Sequence, residues 1–216
     1  MKVLELFAGS RSIGKVADKL GYEVFSSDIN NFDKIDYVVD ILDFDVNKVP
    51  FKPDIIWASP PCTSYSIAGI RFHRPIGKPL SKFALKSDKM ILKTFEIIEH
   101  FKPKKWYIEN PRGLLRKQDF MKGVPRTTVW YCKYGDKRAK PTDIWSNNIY
   151  SIFNQNGWMP RAECFNGNSK CHHDKQPRGY QTRKDLDLLH LGTSGKKGNY
   201  ERSIIPEELC LEILNS

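Results

Sequence analysis

The 216-residue chain lacks any apolar run approaching the length of a membrane span, and Met1-Lys2 leads directly into a strand-like segment in place of a secretory leader. A cytoplasmic protein with no membrane partner is the expectation. Internal repeats and low-complexity tracts are missing too, so one sizeable domain with at most a small appendage accounts for the length. Hydrophobic residues make up 40% of the chain, enough to build a core of that size. The five cysteines are odd in number and follow no secretory signal, which argues against a disulfide framework and leaves reactive thiols or metal ligands.

Acidic residues are absent between Asp54 and Asp88, where Arg71, Arg74, Lys78, Lys82 and Lys86 accumulate. The net charge of +10 is therefore uneven: residues 1–54 carry −3 and the remainder +13. Residues 102–142 add twelve basic side chains against Glu109, Asp119 and Asp136. Such localised cations supply the phosphate-binding part of nucleic-acid recognition, although a solvated basic surface has the same composition.

Short apolar runs alternate with helical patterns as far as residue 110, the signature of a parallel sheet flanked by helices. Strands are expected at Val3–Phe7, Glu23–Ser27, Tyr37–Val39, Ile55–Ala58 and Trp106–Ile108, with another at Thr127–Cys132. Ile91, Phe95 and Ile98 fall at helical spacing between Lys86 and Phe101, and Lys102-Pro103 ends that helix. The connection 63–85 is too long for an ordinary strand-to-helix turn and reads as a lid. Residues 116–200 read as strand continuation followed by an irregular recognition region, and Pro206–Leu214 as a last helix.

The run Gly9-Ser10-Arg11-Ser12-Ile13-Gly14-Lys15 has the spacing of a phosphate-binding loop up to its lysine, but Val16 lacks the hydroxyl that would hold Mg²⁺. The competing reading is an adenosyl site, with Gly9 admitting the ligand to the backbone and Asp28 at the second strand end meeting ribose hydroxyls. Asp40 marks a third strand end. Taken singly, either aspartate is better explained as a solvated or capping charge. Pro60-Pro61-Cys62 follows the fourth apolar run, and Glu109-Asn110 ends the fifth, so a thiol and a carboxylate come to neighbouring strand ends. That pairing suggests covalent catalysis beside an adenosyl cofactor.

In its order and spacing, the set Phe7-Ala8-Gly9 with Gly14, Asp28, Asp40-Ile41, Pro60-Pro61-Cys62 and Glu109-Asn110 resembles the cytosine-5 DNA methyltransferase family. The resemblance covers residues 1–113 and, less clearly, the terminal helix. It implies a Rossmann-like α/β fold of the S-adenosylmethionine-dependent methyltransferases with a small irregular recognition region. Residues 1–115 would then form the catalytic and cofactor-binding core, 116–200 the strand continuation and target-recognition part, and 201–216 a helix packing back on the core. DNA would be the substrate, acted on by a monomer. S-adenosylmethionine would lie against Phe7, Gly9, Asp28, Asp40 and Pro60. Cys62 would be the nucleophile that adds to carbon 6 of a flipped cytosine, and Glu109 the residue that holds the base.

The family's Gln-x-Arg-x-Arg element is not intact, and Arg126 stands as the substitute for one of its arginines. Pro111 replaces the usual aliphatic residue after Glu109-Asn110. Ser59-Pro60-Pro61 also resembles the motif of methyltransferases that act on the exocyclic nitrogen of cytosine, but Cys62 occupies the place of their stacking aromatic. A methyltransferase-like DNA-binding protein without turnover is the non-enzymatic alternative. Cys132, Cys164, Cys171 and His172 are the candidate ligands of a structural zinc; free thiols on an irregular segment are the plainer explanation.

Overall fold

A computed structural model describes residues 1–173 and 199–216, apart from the side chains of residues 199 and 202. The part of the expected recognition region at 174–198 lies outside the described residues. Seven strands form one sheet: β1 Lys2–Leu6, β2 Glu23–Asp28, β3 Tyr37–Val38, β4 Ile55–Ala58, β5 Lys105–Pro111, β6 Arg126–Trp130 and β7 Pro141–Ser146. Their order is β3-β2-β1-β4-β5-β7-β6, parallel through β5, with β7 antiparallel to both of its neighbours. The order reverses between β1 and β4, which opens a crevice beyond their carboxyl ends.

Alternate residues of each strand serve opposite faces. Leu4, Leu6, Ile56, Ile108 and Trp145 pack beneath α3 (Lys82–Phe101), which contributes Ile91, Ile97, Ile98 and Phe101. Val3, Trp57, Tyr107 and Ile144 face α1 (Ser12–Lys19) and α5 (Glu207–Asn215), meeting Ile13, Ala17, Leu209 and Ile213. Burying each such aliphatic side chain contributes about 1.5–3 kcal/mol, before the cost of ordering the chain. Helix α3 begins four residues ahead of the periodicity reading, because the Ser81 hydroxyl accepts from the Ala84 amide and caps it. Lys102, at φ 45°, ends it before Pro103.

Two features depart from expectation. Residues 131–134 form a 3₁₀ turn instead of prolonging β6, and β7 is a buried central strand within a stretch that lacks apolar alternation. The connection after Cys62 is also more structured than a bare loop. It carries 3₁₀ turns at Thr63–Tyr65, Ile67–Gly69 and Pro75–Gly77 and a single helical turn, α2 (Ile70–His73). Asn199–Ser203 forms the short α4.

Arg74, expected from composition to face nucleic acid, is fully buried and holds this connection together. Its guanidinium donates to the carbonyls of Ser64 and Ala84, to Gln118 and to Asp88, and stacks 4.3 Å from the Tyr65 ring centre. Removing one partner of a buried pair leaves the other uncompensated. Arg74→Leu should therefore cost about 3 kcal/mol in urea unfolding and expose residues 63–81 to protease. An unchanged unfolding midpoint and cleavage pattern would show that Arg74 does not hold the segment.

Candidate active site

The β1–α1 turn is organised from below by Glu5, an acidic residue within an apolar strand. Its carboxyl accepts the Ile13 and Gly14 amides, both at 3.1 Å, and a weaker bond from Ser26. A Cβ at Gly14 would lie 2.6 Å from Glu5 Oε2, so only glycine permits this approach. The first amides of α1, which a phosphate would need, are thus occupied by the protein's own acid. The triphosphate reading of Gly9–Lys15 fails here for that reason. Arg11 is buried with Glu5 and donates to Ser26 at 2.9 Å.

Beyond this cap lie the residues expected at a cofactor. Phe7 and Gly9 both take positive φ, 54° and 49°, and turn the chain away from β1. The Gly9 amide donates to Asp28 Oδ2 at 3.0 Å, while Asp28 Oδ1 accepts from the Asn30 amide at 2.8 Å. Asp40 caps the 3₁₀ turn at Ile41–Asp43 and pairs with Lys86 at 2.6 Å; that hydrogen bond holds its carboxyl below the usual aspartate range. Ser203 of α4 covers the turn, its Oγ 3.2 Å from where a Gly9 side chain would begin. Tyr200, on the same helix, packs on Phe32 and accepts a hydrogen bond from Lys15 at 3.3 Å. A glycine backbone flanked by two strand-end carboxylates suits an adenosyl ligand, whose hydroxyls and amine are donors.

Cys62 and Glu109 are brought together by adjacent strands, since β4 and β5 pair with Ala58 opposite Ile108. Asn110 Nδ2 donates to the Pro60 carbonyl at 2.9 Å, joining the two strand exits directly. The Leu114 amide reaches Tyr65 O at 2.8 Å, and a Cβ on Gly113 would meet that same oxygen at 2.5 Å. Cys62 is partly accessible, whereas Glu109 is only 6% exposed. Tyr131 donates to Glu109 Oε1 at 2.9 Å, and Lys140 Nζ lies 3.9 Å from the same oxygen. Burial, and then the charge of Glu109, push the Tyr131 phenol well above its ordinary value, so it remains a donor.

Sequence reasoning missed Glu5, Tyr131 and Lys140. A lone acid inside an apolar strand was the available sign for Glu5; nothing local distinguishes Tyr131. Arg126 sits apart from this pair, shared with Arg116 on Asp143, which is fully buried in β7. Of the expected metal ligands, Cys132, Cys164 and Cys171 converge, but His173 completes the group and His172 does not. Consecutive side chains diverge here, and His172 Nε2 lies against the Asp136 carbonyl at 3.1 Å. A cleft of about 680 Å³ between residues 156–161 and α5 includes none of these strand-end residues.

Glu5 has a measurable consequence. Burial pushes its carboxyl up to about 7, against the opposing pull of Arg11, the two amides and Ser26. The unfolded chain releases this proton near 4.5, so between there and about 7 the native state holds the extra proton. Its stabilising contribution is full below 4.5 and is lost as pH rises through 7. Glu5→Gln should lower stability at every pH, because an amide NH₂ would oppose the Gly14 N–H, yet flatten the decline across that window. An equally steep decline in the variant would assign the slope to other groups.

Residues 1–123 match the family described as C-5 cytosine-specific DNA methylase. A protein of Frog virus 3 (isolate Goorha), described as a "Probable DNA (cytosine-5)-methyltransferase", is 29% identical over 228 residues, covering 100% of this chain and 99% of that one. Among solved structures, a protein assigned as a DNA modification methyltransferase within an E. coli prophage superposes with a TM-score of 0.50 at 14% identity, over 68% of this chain and 46% of that one. The S. pombe Dnmt2 methyltransferase gives 0.47 at 14% identity, over 68% and 48%. This chain thus spans about half the length of those two structures, and the prophage protein bears on the fold alone. Methyltransferases of the matched family use S-adenosylmethionine, and this chain belongs to the C-5 cytosine-specific DNA methylase family.

Proposed function

We propose that this chain methylates carbon 5 of a cytosine flipped out of DNA, with Cys62 forming a transient bond to carbon 6. The observation that carries the reading is the joining of the Cys62 and Glu109 strand exits by Asn110. Carbon 5 of cytosine is too poor in electrons to attack a methyl group until a nucleophile has added at carbon 6. The Cys62 thiolate makes that bond and places the electron pair in the ring. As the bond forms, Glu109 passes a proton to nitrogen 3, which neutralises the negative charge that develops there. Its Oε1 is oriented by Tyr131, and Oε2, which takes part in neither the Tyr131 nor the Lys140 contact, meets the ring. An electrophilic methyl is supplied by S-adenosylmethionine, bound by Phe7, Gly9, Asp28, Asp40 and Pro60. Loss of the carbon 5 proton to solvent, with return of the nitrogen 3 proton to Glu109, then expels the Cys62 thiolate and restores aromaticity.

A base inside a duplex cannot reach a pocket between strand ends, so it has to be unstacked. The segment after Cys62 presents exposed Ile67, Phe72, Ile76 and Leu80 beside the cations Arg71 and Lys78. Apolar side chains there suit the gap left in the stack, and the cations suit the backbone. Arg126 is a positioning residue in this scheme, acting through Asp143 and β7.

DNA carrying 5-fluorocytosine tests the chemistry, because fluorine cannot leave as the proton does. A covalent complex should form with the wild-type chain and disappear with Cys62→Ser, which should still bind S-adenosylmethionine. Methylation that persists in Cys62→Ser, with product on the exocyclic nitrogen, would falsify the cysteine mechanism. A separate measurement addresses DNA binding: affinity should fall steeply with salt, and Arg71→Glu with Lys78→Glu should reduce the slope by about one unit for each phosphate no longer neutralised. A salt-independent affinity would remove this segment from the interface.

A further inference from the structure

Away from the strand ends, Cys132, Cys164, Cys171 and His173 place their four ligand atoms within 4.8 Å of one another. We propose that these residues bind a zinc ion, which clamps residues 164–173 to the segment carrying Tyr131. This inference goes beyond the methylation reaction and does not depend on it.

The spacing suits a tetrahedral ion. With Zn–S near 2.3 Å and Zn–N near 2.0 Å, ligand atoms should stand about 3.5 to 3.8 Å apart. Cys164 Sγ and His173 Nδ1 are 3.8 Å apart. Cys132, Cys164 and His173 are each at most 5% exposed. The Asn168 side-chain amide donates to Cys164 Sγ at 3.4 Å, the kind of outer contact that orients a ligating sulfur. Three soft sulfurs and an imidazole select zinc over magnesium or calcium, which require oxygen ligands.

Neither disulfide bonding nor apolar packing accounts for the cluster. None of the five cysteines forms a disulfide, and one disulfide would leave a third thiol beside it. Among the described residues apolar burial does not suffice, since the core at this place comprises Trp130, Cys132 and Cys164, with Ala139 and Cys171 partly buried against it. Cys132 lies 32 to 41 residues before its three partners, so the ion would close a long loop that hydrophobic contact holds weakly.

The anchoring point also matters. Cys132 directly follows Tyr131, which donates to Glu109 and whose amide is bonded to Lys140 O at 3.1 Å. The ion would thus steady, from outside the pocket, the residue that orients the active-site carboxylate. That last link rests on the proposed role of Glu109; binding of the ion does not.

Metal content of the full chain, purified without chelators or immobilised metal, tests the assignment directly. About one zinc per chain is expected in the wild type and in His172→Ala, and loss of it in Cys164→Ser and His173→Ala. Should the ligand variants fail to fold, Co²⁺ exchanged into the wild type reads the ligand set without mutation. Intense tetrahedral d–d absorption with a thiolate-to-cobalt charge-transfer band supports three sulfurs. Absence of bound metal, iron in place of zinc, an octahedral cobalt spectrum, or full zinc retention by Cys164→Ser would each overturn the proposal. Zinc lost from His172→Ala but kept by His173→Ala would overturn the ligand assignment.

Discussion

The bond from Asn110 to the Pro60 carbonyl is the constraint on which the site depends. Parallel pairing of β4 and β5 sets their exits side by side, but two departing loops would be free to splay. Asn110 has its entire side chain buried and spends its donor on the neighbouring exit. Gly113 and Leu114 then fold onto Tyr65, one turn past the thiol. A partly accessible thiol and a buried carboxyl are thus held in register by contacts between the two strand exits. Preorganisation of this kind is what allows a fixed dipole to act at the moment charge develops.

The connection beyond Cys62 shows how a polar, basic stretch becomes ordered. Its interior is one guanidinium, Arg74, with carbonyl, carboxylate and aromatic partners from four places in the chain. Its exterior is unusually apolar, and Ile76, a β-branched residue at φ 60°, is almost wholly exposed. A polar centre under an apolar skin inverts the usual arrangement. It suits a surface whose partner is the stacked interior of a duplex.

Much of the sheet was readable because β1 and β4 at its centre are buried on both faces and are mostly apolar, β4 without interruption. The helix α3 was readable from its period, less its first turn, which a serine cap decides. β7 was hidden for a physical reason: Thr142, Asp143 and Ser146 are buried polar residues, and the Asp143 carboxylate is neutralised by Arg116 and Arg126 from distant positions. The same cause led Arg74 to be placed at the surface. A charged residue's burial depends on partners that local sequence does not reveal. At the site, Cys62, Glu109, Gly9 and Asp28 were conspicuous through their places at strand ends, whereas Tyr131 and the choice between His172 and His173 depend on side-chain direction in non-repetitive turns.

The last described residues close over the first turn: Ser203 lies on Gly9, the Ile205 amide donates to Ser12 at 3.0 Å, and α5 packs on α1. The Ser12 and Ile205 partners are 193 residues apart in sequence, so these contacts form late. During synthesis the β1–α1 turn emerges from the ribosome long before the segment that covers it. A nascent chain therefore carries this turn uncovered until Ser203 and Ile205 have been made, and the apolar face of α1 that receives α5 stays open to solvent for the same interval.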